Sequence, residues 1–107
     1  MNRGAVVIVA LRGDYGKPRP ALVVQADLFS ELPSVTILPI TSDLRDAPLY
    51  RVKVEHSTNT GLEKPSQIMV DKPQTIAREK VSQVVGHLDD NNMVAVNRAM
   101  ALFLGFA

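Results

Sequence analysis

The sequence predicts a mainly β fold: a small, strongly bent sheet or partly open β-barrel, followed by one C-terminal α-helix. Short apolar segments alternate with Pro- and Gly-containing turns over most of the chain, which is typical of strands. Near the C-terminus the apolar side chains recur at helical spacing instead. With 107 residues and no repeat, low-complexity tract or linker, residues 1–107 are expected to form a single domain.

Four strands are predicted first along the chain. Residues 5–11 and 21–25 are apolar runs separated by the turn-rich RGDYGKPRP, which indicates an antiparallel pair of buried strands joined by a loop. Residues 35–40 form a third apolar run. Residues 50–55, YRVKVE, alternate apolar with charged side chains, so one face of this strand is expected to be buried and the other solvated.

The segment before the helix gives weaker signals. SQIMVDKPQTI begins as a strand, and Pro73 marks its end or a sheet edge because proline has no N–H to donate. REKVSQVVGHL fits either a short helical turn or a strand. The sheet is therefore expected to have about five or six short strands.

The C-terminal helix is predicted from its caps and its apolar spacing. Asp89 or Asp90 can accept hydrogen bonds at the N-terminus, and Leu88 forms a hydrophobic staple with Met93 if Asp89 is the N-cap. Gly105 supplies a stop. The helix is expected to cover one side of the sheet with its apolar positions Met93, Val96, Met100, Phe103 and Leu104.

Composition limits the classes of function. The formal net charge is +1, from 12 Lys and Arg against 11 Asp and Glu, so any binding of an anion must be local. The absence of cysteine excludes disulfides, thiol catalysis and a thiolate zinc site. The longest apolar runs are too short to span a membrane, and the N-terminus lacks a signal-peptide pattern. A cytoplasmic protein without a membrane partner is expected.

Cofactor and metal motifs are missing from the sequence. It contains no GxGxxG, Walker loop, HExxH or GxSxG. His56 and His87 have no neighbouring ligand set, which favours ordinary surface or boundary histidines. We therefore expect neither a metal nor another cofactor.

The first candidate site is the basic pair in GKPRPALVV, Lys17 and Arg19. The two prolines that flank Arg19 restrict its backbone, so its guanidinium starts from a partly organised position. A planar, always charged fork suits a phosphate. The alternative is an ion pair of Arg19 with Asp14 or Glu31 at the end of a strand.

Two further polar clusters follow apolar strands. Thr41 and Ser42 in LPITSDL can donate hydrogen bonds to a phosphate or a 2′-hydroxyl, or they can cap their own turn. Asp71 in IMVDKPQTI can accept a proton if it lies near Arg19, or it can be an ordinary turn residue.

These segments together carry a family resemblance. RGAVVIVAL, GKPRPALVVQAD, ILPITSDL, GLEKPSQIMVDKPQTIAREKVSQVVGHLD and the terminal helix resemble MazF/PemK-type toxins of toxin–antitoxin modules in order and spacing. The most specific elements are the basic residue with RP, the PITS segment and S-x-I-x-V-D-x-P-x-T-I. The resembling blocks cover nearly the whole chain.

The resemblance implies an activity and its partners. It implies a metal-independent, sequence-specific endoribonuclease, an mRNA interferase, that cleaves single-stranded RNA. The 2′-hydroxyl would attack the adjacent phosphorus and leave a 2′,3′-cyclic phosphate and a 5′-hydroxyl, which requires a base, an acid and stabilisation of charge. It also implies an SH3-like barrel in a homodimer, inhibited by a cognate antitoxin whose disordered C-terminal segment covers the RNA site.

The resemblance also assigns catalytic residues. Arg19 matches the arginine of the RP block and Thr41 the threonine of PITS, so both are expected to be catalytic or to stabilise the transition state. Ser42 is expected to contact the phosphate or another part of the substrate. Asp71 matches an aspartate of the acid–base set in Kid-like members, although Met69 stands where those members have an arginine.

Substrate contacts are expected on the loops. The first loop, RGDYGKPRP, is shorter than in many members and lacks the histidine and glutamate that some of them carry. Tyr15 on this loop is a candidate for stacking on a base, or it covers the edge of the barrel. Lys17 and Ser66 are the remaining candidates for substrate binding.

Two other classes of function stay open at this point. A CcdB-like gyrase inhibitor shares the fold but is expected to contact gyrase through its C-terminal residues, whereas LFLGFA predicts helix and core. A non-enzymatic SH3-like binding module should carry an aromatic groove, yet the chain has only two Tyr and three Phe.

Overall fold

The computed structural model describes residues 1–10 and 17–107. These residues form a seven-stranded antiparallel sheet and one C-terminal helix, which confirms the mainly β prediction with more strands than expected. The strands are β1 Ala5–Ala10, β2 Pro18–Val23, β3 Ser34–Thr41, β4 Arg51–Val54, β5 Ser66–Met69, β6 Gln74–Ala77 and β7 Val81–His87. Two short 3-10 turns, Asp27–Phe29 and Arg78–Lys80, and the helix α1, Asp90–Leu104, complete the fold.

Strand β3 is the centre of the sheet. The strand order is β4-β5-β3-β2-β1-β7, and β6 also pairs with β3. One edge of β3 faces β2, while its other edge pairs first with β6 and then, at Ile40 and Thr41, with β5. Since the order ends at β4 and β7, the described strands form a bent, partly open sheet and not a closed barrel.

Strand β2 begins earlier than its apolar run. Its first residues pair with β1 in the register Ala10↔Pro18, Val9↔Arg19 and Ile8↔Pro20, whereas β3 pairs with Ala21–Val23. Within the described part of the chain, Pro18, Arg19 and Pro20 therefore have a neighbouring strand on one side only, and we call this stretch the one-sided margin of β2. The margin tolerates proline because no strand on the open side needs a hydrogen bond from the missing N–H.

Two apolar clusters form the core. The larger one lies between the sheet and α1, and it includes the buried Val96 with partly buried Met93 and Met100. The smaller one is built from β1, β2 and β3, with Ile76 and Val81 packed against it. The helix covers one side of the sheet as predicted, but Phe103 and Leu104 remain about half exposed.

The helix termini follow the sequence prediction. Asp89 is the N-cap, and its side chain accepts a hydrogen bond from the Asn92 backbone N–H at 2.7 Å. Leu88 is buried and Met93 packs against the same cluster, as expected for a staple. Gly105 ends the helix with φ of 84° in the left-handed region.

The segment with weaker signals contains three strands, β5 to β7, and a 3-10 turn. Pro73 lies between β5 and β6, so it ends a strand as predicted. REKVSQVVGHL combines both alternatives, because a 3-10 turn at Arg78–Lys80 leads directly into β7. Among residues 1–10 and 17–107, no helix has both the length and the apolar character needed to cross a lipid bilayer.

Candidate functional site

A groove of about 820 Å³ opens beside the end of β3. Six separate segments of the described chain line it: β1 at Ile8, β2 near Arg19, the end of β3 with the two residues after it, the β4–β5 loop, the β5–β6 region and β7. Its apolar lining consists of Ile8, Pro20, Pro39, Ile40, Leu62, Met69 and Val85. A mixed surface of this kind can hold the flat face of a base while polar groups bind the sugar and phosphate.

Arg19 projects from the one-sided margin of β2. The residue lies in strand β2 opposite Val9 and is exposed to solvent. It lines the groove together with Pro20. Because its backbone is part of a strand and is flanked by two prolines, the base of the side chain is fixed while the guanidinium can reach a ligand.

Thr41 is the last residue of β3, and Ser42 follows it. The Thr41 Oγ1 accepts a hydrogen bond from the Asp43 backbone N–H at 3.0 Å, which is the turn bond that the sequence allowed. A hydroxyl that accepts in this way keeps its own proton to donate. Both Thr41 and Ser42 line the groove, so the turn bond and a substrate contact are compatible.

Ser66 lines the same groove at the start of β5. It is 6% exposed, and its hydroxyl donates to the Lys64 backbone oxygen at 2.9 Å. The hydroxyl oxygen can still accept a hydrogen bond, but its proton is already engaged.

The other predicted site residues lie elsewhere. Asp71 follows β5 and is not part of the groove lining, although its neighbours Met69 and Lys72 are. Its Oδ2 is 3.6 Å from the Lys72 Nζ, and no donor among the described residues reaches its Oδ1. Lys17 is exposed just before β2, outside the lining. Tyr15, like Asp14, lies outside the described residues.

Sequence reasoning missed several polar residues of the groove. Glu63 and Lys64 come from the β4–β5 loop, Gln74 from β6 and Gln83 from β7. All four lie within the segment GLEKPSQIMVDKPQTIAREKVSQVVGHLD, but at positions to which the family resemblance assigned no role. The fold brings them together through pairings that are distant in the sequence.

The β4–β5 loop is held against β7 at two glycines. An added Cβ on Gly61 would meet the Val85 backbone oxygen at 2.5 Å, and φ at Gly61 is +72°. An added Cβ on Gly86 would meet the Asn59 backbone oxygen at 2.3 Å. The His87 N–H also donates to that oxygen at 2.8 Å. The loop that carries Glu63 and Lys64 is therefore seated by close backbone contact.

The charge of the groove is mixed with a positive excess. Its charged lining residues in the described ranges are Arg19, Lys64, Lys72, Asp43 and Glu63. Asp43 is already paired with Arg45 at 3.1 Å, and both side chains are 68% exposed. Three cations against two carboxylates in the described lining favour an anionic ligand at short range. In the part of the chain that the structure describes, no three His, Asp or Glu side chains form a candidate metal site.

The arrangement suits chemistry on a phosphodiester. An arginine fork can bind the non-bridging oxygens, and a threonine hydroxyl can donate to an oxygen on which charge develops. Apolar surface next to these groups can seat an unstacked base.

Comparison with known protein sequences gives consistent matches. A model of the family described as PemK-like, MazF-like toxin of type II toxin-antitoxin system matches residues 2–104. A probable endoribonuclease MazF from Mycolicibacterium smegmatis is 44% identical over 108 residues, covering 100% of this chain and 99% of that relative. Endoribonuclease EndoA from Bacillus subtilis is 28% identical over 92 residues, covering 85% of this chain and 79% of that relative.

Solved structures share the fold. The Mycobacterium tuberculosis toxin MazF-mt6 matches with a TM-score of 0.81 at 27% identity, covering 94% of this chain and 96% of that chain. An endoribonuclease from mycobacterial species, solved in complex with its cognate antitoxin, matches with a TM-score of 0.82 at 20% identity. That match covers 100% of this chain and 97% of the other, and at this identity it speaks for the fold alone.

Proposed function

The chain belongs to the family of PemK-like, MazF-like toxins of type II toxin–antitoxin systems, and we propose that its groove cleaves single-stranded RNA. The relatives named endoribonucleases support this activity. The observation that carries the proposal is that one groove brings Arg19 and Thr41 together in a chain of this family. We take residues 1–107 as one toxin domain.

The proposed reaction is an attack of the RNA 2′-hydroxyl on its own 3′-phosphorus. The new O–P bond forms as the bond to the 5′-oxygen of the next nucleotide breaks, leaving a 2′,3′-cyclic phosphate and a 5′-hydroxyl. Arg19 would bind the non-bridging oxygens and stabilise the added negative charge. Thr41 would donate its free proton to the same phosphoryl group. Each of these contacts is worth most in the transition state, where the phosphoryl charge is largest.

The remaining predicted residues have supporting roles in the proposal. Asp71 would take or deliver a proton, since its Oδ1 receives no hydrogen bond from the described residues. Ser42 and Ser66 would contact the substrate from the lining of the groove. Lys17, which lies outside that lining, would bind the RNA backbone, and Tyr15 would stack on a base.

We also propose the partners of such a toxin. A cognate antitoxin would inhibit the enzyme by placing an acidic, disordered segment on the cations that bind RNA. The enzyme would act as a homodimer in the cytoplasm, without a metal or another cofactor. The exposed apolar side chains near the end of α1 support self-association.

The test is cleavage of a long RNA by the purified protein in the presence of EDTA, followed by mapping of the product ends. We expect cuts at a short recurring sequence, with 5′-hydroxyl and cyclic-phosphate termini. Products with 5′-phosphates, or an activity that EDTA removes and added metal restores, would contradict the mechanism. Intact RNA together with inhibition of gyrase would instead indicate a CcdB-like toxin.

A further inference from the structure

The buried side chain of Gln67 holds the loop that follows Thr41. Gln67 is 3% exposed and lies in β5 directly opposite Thr41, its register partner in β3. Its Oε1 accepts hydrogen bonds from the Arg45 backbone N–H at 3.0 Å and from the Arg51 Nη1 at 2.8 Å. Its Nε2 donates to the Arg45 backbone oxygen at 2.8 Å. One amide therefore fixes both backbone groups of Arg45.

A chain of hydrogen bonds connects this amide to the Thr41 hydroxyl. The Arg51 Nη1 that donates to Gln67 also donates to the Asp43 backbone oxygen at 2.8 Å. The Asp43 N–H in turn donates to the Thr41 Oγ1 at 3.0 Å. The loop is thus held at two points, Asp43 and Arg45, and the first of these sets the orientation of the Thr41 hydroxyl.

Gln67 is not itself placed to touch RNA in the groove. Its side chain is buried, three of its hydrogen bonds are made within the protein, and it is not among the described residues that line the groove. A buried amide with satisfied partners is a rigid support, because breaking its bonds leaves polar groups without partners. Any effect of Gln67 on the chemistry must therefore pass through the loop.

We propose that Gln67 is a positioning residue that, through Arg51 and the loop after β3, aims the Thr41 hydroxyl at the phosphoryl group. This inference rests on the proposed function, because it needs Thr41 to act on RNA. The hydrogen bond from the Asp43 N–H restrains the rotation of the Thr41 side chain, which leaves the hydroxyl proton to point away from the turn. Without the three hydrogen bonds of the Gln67 side chain, which we call the Gln67 clamp, the loop samples other conformations and the Thr41 hydroxyl is no longer held in one orientation.

The first test is Gln67→Leu, assayed on a short fluorogenic RNA that contains one cleavage sequence. We expect kcat to fall about 10- to 100-fold, as for other small misplacements of a catalytic group. KM should stay within about threefold, since ground-state contacts in the groove are retained. Gln67→Glu keeps an acceptor for both N–H donors, so its loss of kcat should be smaller. A kcat equal to wild type in folded Gln67→Leu, or a larger loss in Gln67→Glu than in Gln67→Leu, would overturn the proposal.

Gln25 provides a matched control. Its side chain makes a similar clamp at the other end of β3, accepting from the Thr36 N–H at 3.1 Å and donating to the Phe29 and Ser34 backbone oxygens at 3.0 and 3.2 Å. Gln25→Leu removes three hydrogen bonds, as Gln67→Leu does, but does so away from the groove. It should lower thermal stability and leave kcat unchanged. An equal loss of kcat in Gln25→Leu and Gln67→Leu would show that kcat falls because the protein is less stable, and this result would contradict the positioning role of Gln67.

A double variant separates this inference from the proposed function. Thr41→Val removes the hydroxyl at constant shape, and Gln67→Leu should slow this variant no further if Gln67 acts through Thr41. An additional loss as large as in the wild-type background would overturn the positioning role alone. Wild-type cleavage by Thr41→Val would overturn the role of Thr41 and, with it, this inference. Absence of RNA cleavage by the wild-type protein would overturn the proposed function itself.

Discussion

Arg19 illustrates how a few neighbouring residues can define a binding group. The prolines on each side restrict its backbone, and the pairing with Val9 places it in a strand beside the groove. The side chain is exposed to solvent, so a ligand can reach it. The assignment of the site depends most on this residue, which makes it the most informative position for mutation.

Arg19→Ala should reduce RNA cleavage by at least about 100-fold, because a charged donor to the transition state is lost. Arg19→Lys should recover only part of the activity, since an ammonium group lacks the planar fork. The rates are measured on the same RNA, and thermal melts verify the fold. Lys80→Ala is the control, because this exposed cation lies outside the groove lining. Near-normal cleavage by Arg19→Ala would remove the basis of the assigned site.

Thr41 and Gln67 differ in what the sequence reveals. Thr41 was predicted from its place after an apolar strand and from the PITS segment, and both the turn bond and the groove position suit it. Gln67 carries no comparable signal, because a glutamine in a strand is usually solvated and only burial shows its clamp. The contact of Gln67 with Arg45 joins residues 22 positions apart and depends on the pairing of β3 with β5, so no local pattern predicts it.

At the scale of elements, the helix was the most predictable part. Its caps are local, and Asp89 and Gly105 act within one turn of the helix ends. The burial of its apolar face is not local, and Phe103 and Leu104 lie beyond the part that packs on the core. Strand β2 was predicted to start at residue 21, because prolines argue against a strand unless one of its sides is open.

The close backbone contact between the β4–β5 loop and β7 predicts that one added methyl group lowers both stability and RNA cleavage. Gly86→Ala should lower the free energy of unfolding by about 1–3 kcal/mol, because the new Cβ meets backbone atoms of Asn59 and Thr60 that cannot rotate away. Displacement of the loop should also lower cleavage in the folded variant, since Glu63 and Lys64 line the groove. Chemical denaturation and rate assays measure the two effects.

Gly105→Ala is the control for this prediction. Its Cβ meets nothing within 4 Å, so the variant carries only the strain of a left-handed φ of 84°. It should lower stability by about 1 kcal/mol and leave cleavage unchanged. Wild-type stability and cleavage in Gly86→Ala would show that the loop does not depend on this close contact.

At the scale of the whole molecule, the groove is assembled from residues that are up to 77 positions apart, Ile8 on β1 and Val85 on β7 being the extremes. The sequence indicated most of the strands because apolar runs are local. The catalytic and substrate-binding residues rest mainly on the family resemblance and stay predictions. The loop residues Glu63 and Lys64 were out of reach, because their position follows from the docking of the loop on β7.

The surface of the molecule also predicts self-association. Large apolar side chains at and after the end of α1 are exposed, with Leu102 at 52%, Phe103 at 48% and Phe106 at 82%. Sedimentation should give about twice the 11.7 kDa chain mass, and Phe103→Lys should shift the protein towards monomer. Val94→Lys is the control, because Val94 is equally exposed but lies on the opposite face of the same helix. A monomer at micromolar concentration would contradict the homodimer.

The prolines of β2 have a further consequence for what can bind beside the groove. The Gly4 N–H donates to the Val23 oxygen, so the backbone polar groups of Val23 point towards β1. Successive residues of a strand point these groups to alternate sides, so those of Arg19 also face β1 and the nitrogens of Pro18 and Pro20 face away from it. Neither nitrogen carries a hydrogen. An unpaired strand edge normally presents N–H and C=O groups to which another strand can add. At Pro18 and Pro20 this edge presents carbonyls but no N–H donors, which disfavours strand addition and edge-to-edge aggregation. A peptide that docked on this edge would therefore have to bind side chains, because Pro18 and Pro20 offer it no N–H donor.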